Sequence, residues 1–312
     1  MLPRYSFPLY PYVRLAFIHY TNTARDLPGK LGNPALHAFD ISMNQTDSSN
    51  IPFLVPVHSM GRDIVIECQW ISPEKTDKDL IVFLHEGLGS ISMWRDWPAS
   101  VCAAADCRGL VFSRYGYGQS TPRPMDEKRP VTYLHVQANE ALPALFSALG
   151  LEHERPILFG HSDGGSISLL YAAMFPEKVK AIAVAAPHIF VEDITIDGIA
   201  QARDIYLSTD LPKKLERHHQ DVDSVFWSWN EIWLEPEFRL WNIEEYVSQI
   251  RCPILAIQGE NDEYGTLEQI RGIKRLAAQT ELYIIPDCGH SPHRDQPVAV
   301  ANAVAGFIAG LG

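Results

Sequence analysis

From residue 51 onward, short apolar runs that fit β-strands alternate with longer segments that fit α-helices. Leu80–Leu84 and Pro156–Phe159 are continuous runs, as expected for strands covered on both faces of a sheet. The clearest helix is the last, in which Val300, Val304 and Phe307 recur at helical spacing. This alternation predicts an α/β fold with a mostly parallel central sheet flanked by helices.

The first two runs of this region alternate in polarity, which predicts strands with one solvent-facing side. Gly61-Arg62-Asp63 between them predicts a hairpin turn, and Pro143 is expected to kink the helix that Thr132 begins. The predicted strands are Phe53–Val57, Ile64–Ile71, Leu80–Leu84, Leu110–Phe112, Pro156–Phe159, Ala181–Ala186, Pro253–Gln258 and Leu282–Ile285. The predicted helices include Met93–Ala105, Thr132–Leu149 and Gly164–Phe175.

The alternation is interrupted once, in residues 190–251, where helical stretches contain four of the seven tryptophans. This segment is predicted to be a helical cap inserted into an α/β core made of residues 51–189 and 252–312. Most of the tryptophans are expected to hold the insertion in place, with Trp227 and Trp233 as candidate substrate contacts. Residues 1–50 show no sustained period and are predicted to be a weakly ordered N-terminal extension.

The chain has 312 residues with 26 Lys and Arg against 38 Asp and Glu, a formal net charge of −12. An acidic balance disfavours nucleic acid, which a protein binds through a basic surface, and it disfavours docking onto anionic lipid. The nearest candidate for a membrane span, Pro297 to Gly312, is too short. The composition predicts a soluble globular protein with no nucleic-acid or membrane partner, and it leaves the oligomeric state open.

The five cysteines are an odd number and include no C-x-x-C pair. They are expected to be buried or free thiols of a reducing compartment rather than a disulfide framework. Residues 1–20 contain Arg4, Arg14 and three prolines, so no uninterrupted apolar segment of a secretory signal forms. Both observations favour a cytoplasmic location.

The segment Gly160-His161-Ser162-Asp163-Gly164 follows one predicted strand and opens the next predicted helix. A serine in such a sharp turn needs small neighbours because the helix passes close to the strand, and glycines two residues away on either side meet that need. The turn lifts the serine hydroxyl above the sheet, and the start of the helix favours negative charge. Ser162 is therefore predicted to be a nucleophile.

A serine hydroxyl needs a base to take its proton and a carboxylate to orient that base. Asp262 and His290 each follow a predicted strand, and the spacing between them suits one strand–helix–strand unit. Because parallel strands end at the same edge of a sheet, the two side chains are expected to meet beside Ser162. The sequence predicts Asp262 as the acid and His290 as the base, with Glu260 and His293 as their respective rivals.

The glycine-rich segment 85–90 follows the strand predicted at Leu80–Leu84. Its backbone N–H groups are expected to face the serine hydroxyl and stabilise a developing oxyanion. The N–H of Leu88 is the preferred donor from this loop, with Gly87 as the second choice. The N–H of Asp163 is expected to complete the oxyanion hole.

Three polar side chains beside these donors have two interpretations each. His85 either holds the loop through hydrogen bonds or contacts the substrate. Glu86 is either a loop-bonding carboxylate or an acceptor for a polar or cationic substrate group. The Asp163 side chain either caps the helix that begins there or contacts the substrate.

Other chemistries have little support in the sequence. His218 and His219 are adjacent, so their rings point to different sides of a helix, and no H-E-x-x-H is present. There is no P-loop, and Gly116-Tyr117-Gly118 lacks the third glycine of a dinucleotide fingerprint. No metal and no cofactor are predicted.

Taken together, the serine elbow, the acid and the terminal G-H resemble the α/β-hydrolase fold superfamily over about residues 53–312. The segment Arg114–Ser120 also resembles the superfamily's loop after its fourth strand, although Ser113 stands where an aspartate is common. Glu86 lies inside what is usually H-G-x. The resemblance implies Ser162 as nucleophile, His290 as base, Asp262 as acid and chemistry without a cofactor.

The function expected from these residues is hydrolysis of a carboxylic ester of a small or medium organic molecule through an acyl-enzyme. Cleavage of a C–C bond in a diketone-type substrate, or of a thioester, on the same triad is the nearest alternative. A cofactor-free lyase or oxygenase is a further one. A ligand-binding module with a vestigial triad is the alternative from a different class.

Overall fold

The computed structural model describes residues 51–311, and the extension predicted for residues 1–50 lies outside them. Eight strands form one sheet in the order β1-β2-β4-β3-β5-β6-β7-β8. Strand β2 is antiparallel to both of its neighbours and all other pairs are parallel. The strands are β1 (Phe53–Ser59), β2 (Arg62–Ile71), β3 (Leu80–Leu84), β4 (Arg108–Ser113), β5 (Ile157–His161), β6 (Ala181–Ala185), β7 (Ile254–Gly259) and β8 (Thr280–Ile285). The predicted α/β fold is confirmed.

The helices connect the strands along the chain and cover both faces of the sheet. They are α1 (Ile91–Trp94), α2 (Trp97–Ala105), α3 (Tyr133–Val136), α4 (Leu142–Ala148), α5 (Asp163–Met174), α6 (Asp193–Ser208), α7 (Leu211–Leu215), α8 (Val222–Leu234), α9 (Glu244–Val247), α10 (Glu268–Leu276), α11 (Pro292–Asp295) and α12 (Pro297–Ala309). Short 3₁₀ turns occur at Pro176–Lys178 and Phe238–Leu240.

Local structure departs from the sequence prediction in three places. The first hairpin turns at Met60-Gly61, one residue earlier than predicted, because both residues take the positive φ that suits a two-residue hairpin. The helix predicted from Met93 is two helices, separated at Arg95, which has φ +53°. Ahead of Pro143, which lacks an N–H, the chain widens into a π-helical segment, Gln137–Ala141, between α3 and α4.

One face of the sheet is covered by α2 and α12, which pack against each other over a core of aromatic rings. Phe83 of β3 is fully buried there, with its ring 6.2 Å from those of Trp94 and Trp97 and 5.9 Å from that of Phe159. Trp94 of this cluster also packs on His161 at the end of β5, with ring centroids 6.5 Å apart. It therefore supports one wall of the site described below.

Replacing Phe83 by alanine should lower the free energy of unfolding by about 3–5 kcal/mol, because the cavity cannot close against three surrounding rings. Leu240→Ala is the matched control, since Leu240 is 86% exposed and its loss should change stability by less than about 0.5 kcal/mol. Urea unfolding followed by fluorescence measures both values. Equal, small effects of the two substitutions would contradict the packing described here.

The helices α6, α7 and α8 lie between β6 and β7 in the chain and contact one another. An isolated antiparallel bridge joins Phe190 to Asn242 across the two ends of this segment. Helix α9 contacts α5 and α10, so residues 244–247 of the predicted cap pack with the helices of the core. Throughout the rest of this article, "cap" denotes the helices α6–α8.

All five cysteines are buried and unbridged. Burial raises the pKa of each thiol, to about 12 for Cys102. Within residues 51–311, no helix is both long and apolar enough to cross a membrane.

Candidate active site

Ser162 lies at the turn between β5 and α5, at the carboxyl edge of the sheet. Its φ of +51° falls in the left-handed region that residues other than glycine rarely adopt. A Cβ on Gly160 would lie 2.2 Å from the carbonyl oxygen of Gly164, and one on Gly164 would lie 2.1 Å from that of Leu84. Only glycine fits at either position, which is the close approach that the sequence predicted.

The structure brings the three predicted catalytic residues together. The hydroxyl of Ser162 is 2.9 Å from Nε2 of His290, and Nδ1 of His290 is 2.8 Å from Oδ1 of Asp262. Ser162, His290 and Asp262 follow β5, β8 and β7, which run parallel in one sheet, so the three loops lie at the same edge. In this geometry the ring can donate its Nδ1 proton to Asp262 while Nε2 accepts the serine proton.

Asp262 makes a loop turn and contacts the histidine at the same time. Its Oδ1 accepts backbone hydrogen bonds from Tyr264 at 2.9 Å and Gly265 at 3.2 Å, and its Oδ2 accepts one from Nε2 of Gln258 at 3.0 Å. These donors hold the carboxylate in a single orientation toward His290. The rival acid, Glu260, is exposed, and among the described residues no hydrogen bond or ion pair joins its carboxylate to the His290 ring.

Electrostatics couple Asp262 and His290. Burial by itself would lower the pKa of His290, but the Asp262 carboxylate bonded to the ring raises it above its usual value. Burial would raise the pKa of Asp262, and the nearby imidazole lowers it below its usual value instead. The pair is thus most favourable when the ring is protonated, the state that a histidine base reaches after it takes a serine proton.

The loop that carries His290 is held by acidic residues that the sequence analysis did not single out. Glu263 accepts the backbone N–H of His290 at 3.0 Å, and Asp295 accepts that of Gly289 at 2.9 Å. Nε2 of His161 donates to the carbonyl of His290 at 2.7 Å. The position of His161 beside the nucleophile was the only sequence signal for this role.

His293, the rival base, lies apart from Ser162. It is buried against Trp94, with ring centroids 4.7 Å apart, and beside His161. Burial holds the pKa of His293 well below its usual range, so the ring is neutral. His293 therefore contributes to packing beneath the site.

His85 and Glu86 begin the loop after β3, and both side chains bond to other segments of the protein. His85 is fully buried: its Nε2 accepts the backbone N–H of Arg114 at 3.0 Å, and its Nδ1 donates to the carbonyl of Glu86 at 2.7 Å. Burial, followed by the charge of Arg114, holds the pKa of His85 well below its usual range. Both ring nitrogens are used in holding the loop, which is the first of the two interpretations given for His85.

The Glu86 carboxylate is bound by Nη2 of Arg294 at 2.7 Å and lies 3.5 Å from Nδ1 of His161. Burial would raise the pKa of Glu86, but these two side chains, Arg294 foremost, lower it well below its usual range. The carboxylate ties the loop after β3 to the segment that follows His290. An acceptor already paired with arginine is poorly placed to bind a cationic group of the substrate.

The candidate oxyanion donors are backbone N–H groups without a partner. Within residues 51–311, none of the hydrogen bonds uses the N–H of Gly87, Leu88 or Asp163. His219, between α7 and α8, and Trp229 of α8 fix the loop that carries Gly87 and Leu88. Nε2 of His219 donates to the carbonyl of Leu88 at 3.0 Å, and a Cβ on Gly87 would lie 2.1 Å from Nε1 of Trp229.

The side chain of Asp163 does not cap α5, in contrast to one expectation. Its Oδ2 accepts a hydrogen bond from the hydroxyl of Tyr133 at 3.0 Å, and the guanidinium of Arg114 lies 3.5 Å away. The contact with Tyr133 therefore ties Asp163, the residue after Ser162, to helix α3.

The tryptophans of α8 that lie near the candidate active site are not the pair expected from the sequence. Trp227 packs on Phe226 and Tyr206, with ring centroids 5.2 and 5.6 Å away, and its ring is not packed on His290. Trp233 is 5.0 Å from His188, whose ring is 5.7 Å from that of His290. Trp229 lies against the loop instead, and no periodic signal in the sequence separates it from its neighbours.

His188 is a third histidine beside the triad, placed just after β6. Burial lowers the pKa of His188 to about 3, so it is a neutral ring at ordinary pH. Its backbone N–H and carbonyl both bond to the hydroxyl of Ser166, at 3.1 and 2.6 Å. The sequence offered only its position after a strand.

The departure from the superfamily pattern at Ser113 has a structural compensation. The hydroxyl of Ser113 donates to Oε2 of Glu67 at 2.7 Å and accepts the N–H of Ile91 at 3.0 Å. Oε2 of Glu67 also accepts the N–H of Gln119 at 3.0 Å. Ser113 has no carboxylate of its own, and Glu67 of the adjacent strand β2 provides one that binds this loop.

A metal site was not predicted from the sequence. Within the described residues, no three side chains of His, Cys, Asp or Glu are arranged to hold a metal ion. His219 uses both ring nitrogens on backbone groups, accepting the N–H of Gly118 at 3.0 Å and donating to Leu88.

Residues 81–303 match the model of the alpha/beta hydrolase family, and the chain belongs to that family. It is 22% identical over 264 residues to the sn-1-specific diacylglycerol lipase ABHD11 of Danio rerio, covering 75% of this chain and 80% of that protein. It is 22% identical over 246 residues to 2-hydroxy-6-oxo-6-phenylhexa-2,4-dienoate hydrolase of Comamonas testosteroni, covering 70% of this chain and 83% of that one. A thermophilic esterase from Thermogutta terrifontis shares the fold, with a TM-score of 0.65, 16% identity and coverage of 84% and 99%.

Proposed function

We propose that this hydrolase cleaves a carboxylic ester of a small or medium organic molecule through an acyl-enzyme on Ser162. The observation that carries the proposal is the unbroken chain of hydrogen bonds from Ser162 through His290 to Asp262, at 2.9 and 2.8 Å. Unpartnered backbone N–H groups beside the nucleophile and an esterase among the proteins of the same fold support it.

In the first half-reaction, the hydroxyl oxygen of Ser162 attacks the ester carbonyl while Nε2 of His290 takes its proton. The N–H of Asp163 and one from the loop, Leu88 or Gly87, stabilise the tetrahedral oxyanion. The imidazolium then returns the proton to the departing alcohol. In the second half, water attacks the acyl-enzyme with His290 as base, which releases the acid and restores Ser162.

Reaction of Ser162 with a fluorophosphonate tests the nucleophile. We expect stoichiometric labelling of the wild type, and no labelling of Ser162→Ala, because only an activated serine attacks phosphorus at an appreciable rate. Ser168→Ala is the matched control, since Ser168 lies on the same helix with its hydroxyl bonded to the carbonyl of Gly164. Intact mass spectrometry gives the stoichiometry, and an unlabelled wild type would favour a ligand-binding module with a vestigial triad.

A panel of p-nitrophenyl esters, thioesters and diketone-type substrates, with Ser162→Ala as the blank, separates ester hydrolysis from its alternatives. A higher kcat/KM for a diketone would establish C–C cleavage instead, and one relative, from Comamonas testosteroni, is named a hydrolase of 2-hydroxy-6-oxo-6-phenylhexa-2,4-dienoate. Oxygen uptake without release of an acid would indicate a lyase or oxygenase. Chemistry without a metal or cofactor, and a cytoplasmic location, belong to the same proposal.

A further inference from the structure

Helix α8 presents two tryptophans to the candidate active site from one face. Trp229 and Trp233 are four residues apart, so they share a face of the helix. Trp233 packs on His188 on the side of the base, whereas Trp229 packs on the loop after β3, which carries candidate oxyanion donors. This face of α8 therefore reaches from that loop to the histidine that lies beside His290.

The edge of the Trp229 indole occupies the space that a side chain at position 87 would fill. A Cβ on Gly87 would lie 2.1 Å from Nε1 and 2.3 Å from Cδ1 of Trp229. An ideal Cβ is about 2.5 Å from its own backbone nitrogen, so Nε1 of Trp229 lies within about 4.6 Å of the nitrogen of Gly87. Two donors this close can share one acceptor, since each would bond to it at about 2.9 Å.

The indole N–H of Trp229 has no hydrogen-bond partner in residues 51–311, although the residue is only 8% exposed. The N–H groups of Trp94, Trp233 and Trp241 are also unpaired, but they are sealed inside the protein. That of Trp229 is not sealed and opens onto the space beside Gly87. Because an indole nitrogen can only donate, this group is placed to bind an oxygen atom of a ligand.

Packing holds the Trp229 ring in place before a substrate arrives. Its ring meets that of Phe226 edge to face, with centroids 5.9 Å apart, and Phe226 stacks on Tyr206 of α6 at 3.7 Å. Nε2 of His219 donates to the carbonyl of Leu88 at 3.0 Å, which ties the segment before α8 to the loop. A donor that is already in position needs no reorganisation when charge develops on its acceptor.

Resting on the proposed esterase function, we propose that Trp229 is a catalytic residue whose Nε1–H is a third donor to the oxyanion that forms when Ser162 attacks the ester. The N–H groups of Gly87, the loop donor beside the indole, and of Asp163 are the other two. A carbonyl oxygen has two lone pairs and an oxyanion has three, so the third donor is used fully only in the tetrahedral intermediate. It therefore lowers the barrier without tightening substrate binding.

The kinetic test is Trp229→Phe, which keeps an aromatic ring against Phe226 and removes the N–H. We expect kcat on the best p-nitrophenyl ester to fall roughly 10- to 100-fold, with KM within about twofold of the wild type. The rate on the thionoester of the same acid should fall less than about threefold, because sulfur is a weak acceptor. Trp241→Phe is the matched control, since it removes an unpaired indole N–H elsewhere and should change either rate by less than about twofold.

A binding test does not depend on turnover. A trifluoromethyl ketone with the same acyl chain adds to the serine as a tetrahedral oxyanion, and NMR of its ¹³C-labelled carbonyl carbon follows protonation of that oxygen. We expect Trp229→Phe to weaken the adduct roughly 10- to 100-fold and to raise the pKa of the adduct oxygen. In Ser162→Ala, where no oxyanion forms, the same substitution should leave ketone binding within about twofold.

Three results would overturn parts of the proposal. If Trp229→Phe raises KM and lowers the rates on oxoester and thionoester equally, the indole only shapes the site by packing. Unchanged ester turnover and an unchanged ketone adduct would refute the third donor while ester hydrolysis stands. If the wild type cleaves diketones but no ester, and Trp229→Phe still weakens the ketone adduct, the third donor stands while the proposed function fails.

Discussion

Replacing His290 by alanine should reduce kcat roughly 10⁶-fold, because removal of the base from a serine triad leaves only the oxyanion donors and substrate binding. Both ring nitrogens of His290 are within 2.9 Å of their partners, so no neighbouring group can take its place without rearrangement. Turnover of the best p-nitrophenyl ester measures the loss.

The matched control is His293→Phe, which keeps an aromatic ring against Trp94. Neither ring nitrogen of His293 has a hydrogen-bond partner, so phenylalanine removes no bond there. This variant should keep activity of the wild-type order. Loss of turnover in His293→Phe with activity retained in His290→Ala would reverse the assignment of the base.

Replacing Asp262 by asparagine should lower kcat about 10⁴-fold, because an amide can donate to Nδ1 of His290 and favour the wrong tautomer. A change in pH dependence should accompany the loss. The neutral ring is the active form, and Asp262 raises the pKa of His290, so the wild-type rate should fall as the pH drops through a value above 6.5. Without the carboxylate, this acid limb should move to lower pH.

Glu260→Gln is the control for this substitution, because Glu260 is an exposed carboxylate two residues away in the same loop. Its replacement should leave both kcat and the acid limb close to those of the wild type. An unchanged acid limb in Asp262→Asn, or a displaced one in Glu260→Gln, would show that the carboxylate acting on His290 has been misassigned.

The strand ends that carry the candidate catalytic residues could be predicted from the sequence, because a strand and the turn after it are encoded by adjacent residues. Ser162, Asp262 and His290 each follow a short apolar run, and parallel strands end at one edge, so chain order alone brings them together. The glycines around Ser162 have the same origin, since a close strand-to-helix approach tolerates no Cβ. The proximity of these three side chains could therefore be predicted from the sequence.

Local signals also explain where prediction of the elements failed. Pro143 indicated a disturbed helix, but whether the chain kinks or widens into a π-helical segment depends on how the preceding carbonyls find partners. The position of the turn at Met60-Gly61 depends on the twist of the two strands that it joins. Turn-forming residue types alone indicate that position only to within one residue.

Contacts between distant segments are what only the tertiary structure decided. His219 holds the carbonyl of Leu88, Glu67 provides a carboxylate to Ser113, and Arg294 binds Glu86, although many residues separate each pair. Neither the periodicity nor the composition of the sequence around a residue indicates which residue of a distant element it will contact. The sequence determined the sheet and the order of the three candidate catalytic residues along its strands, because those signals are local. The packing of α8 and the loops decided which distant polar and charged groups are paired, because those contacts join segments that no local pattern connects.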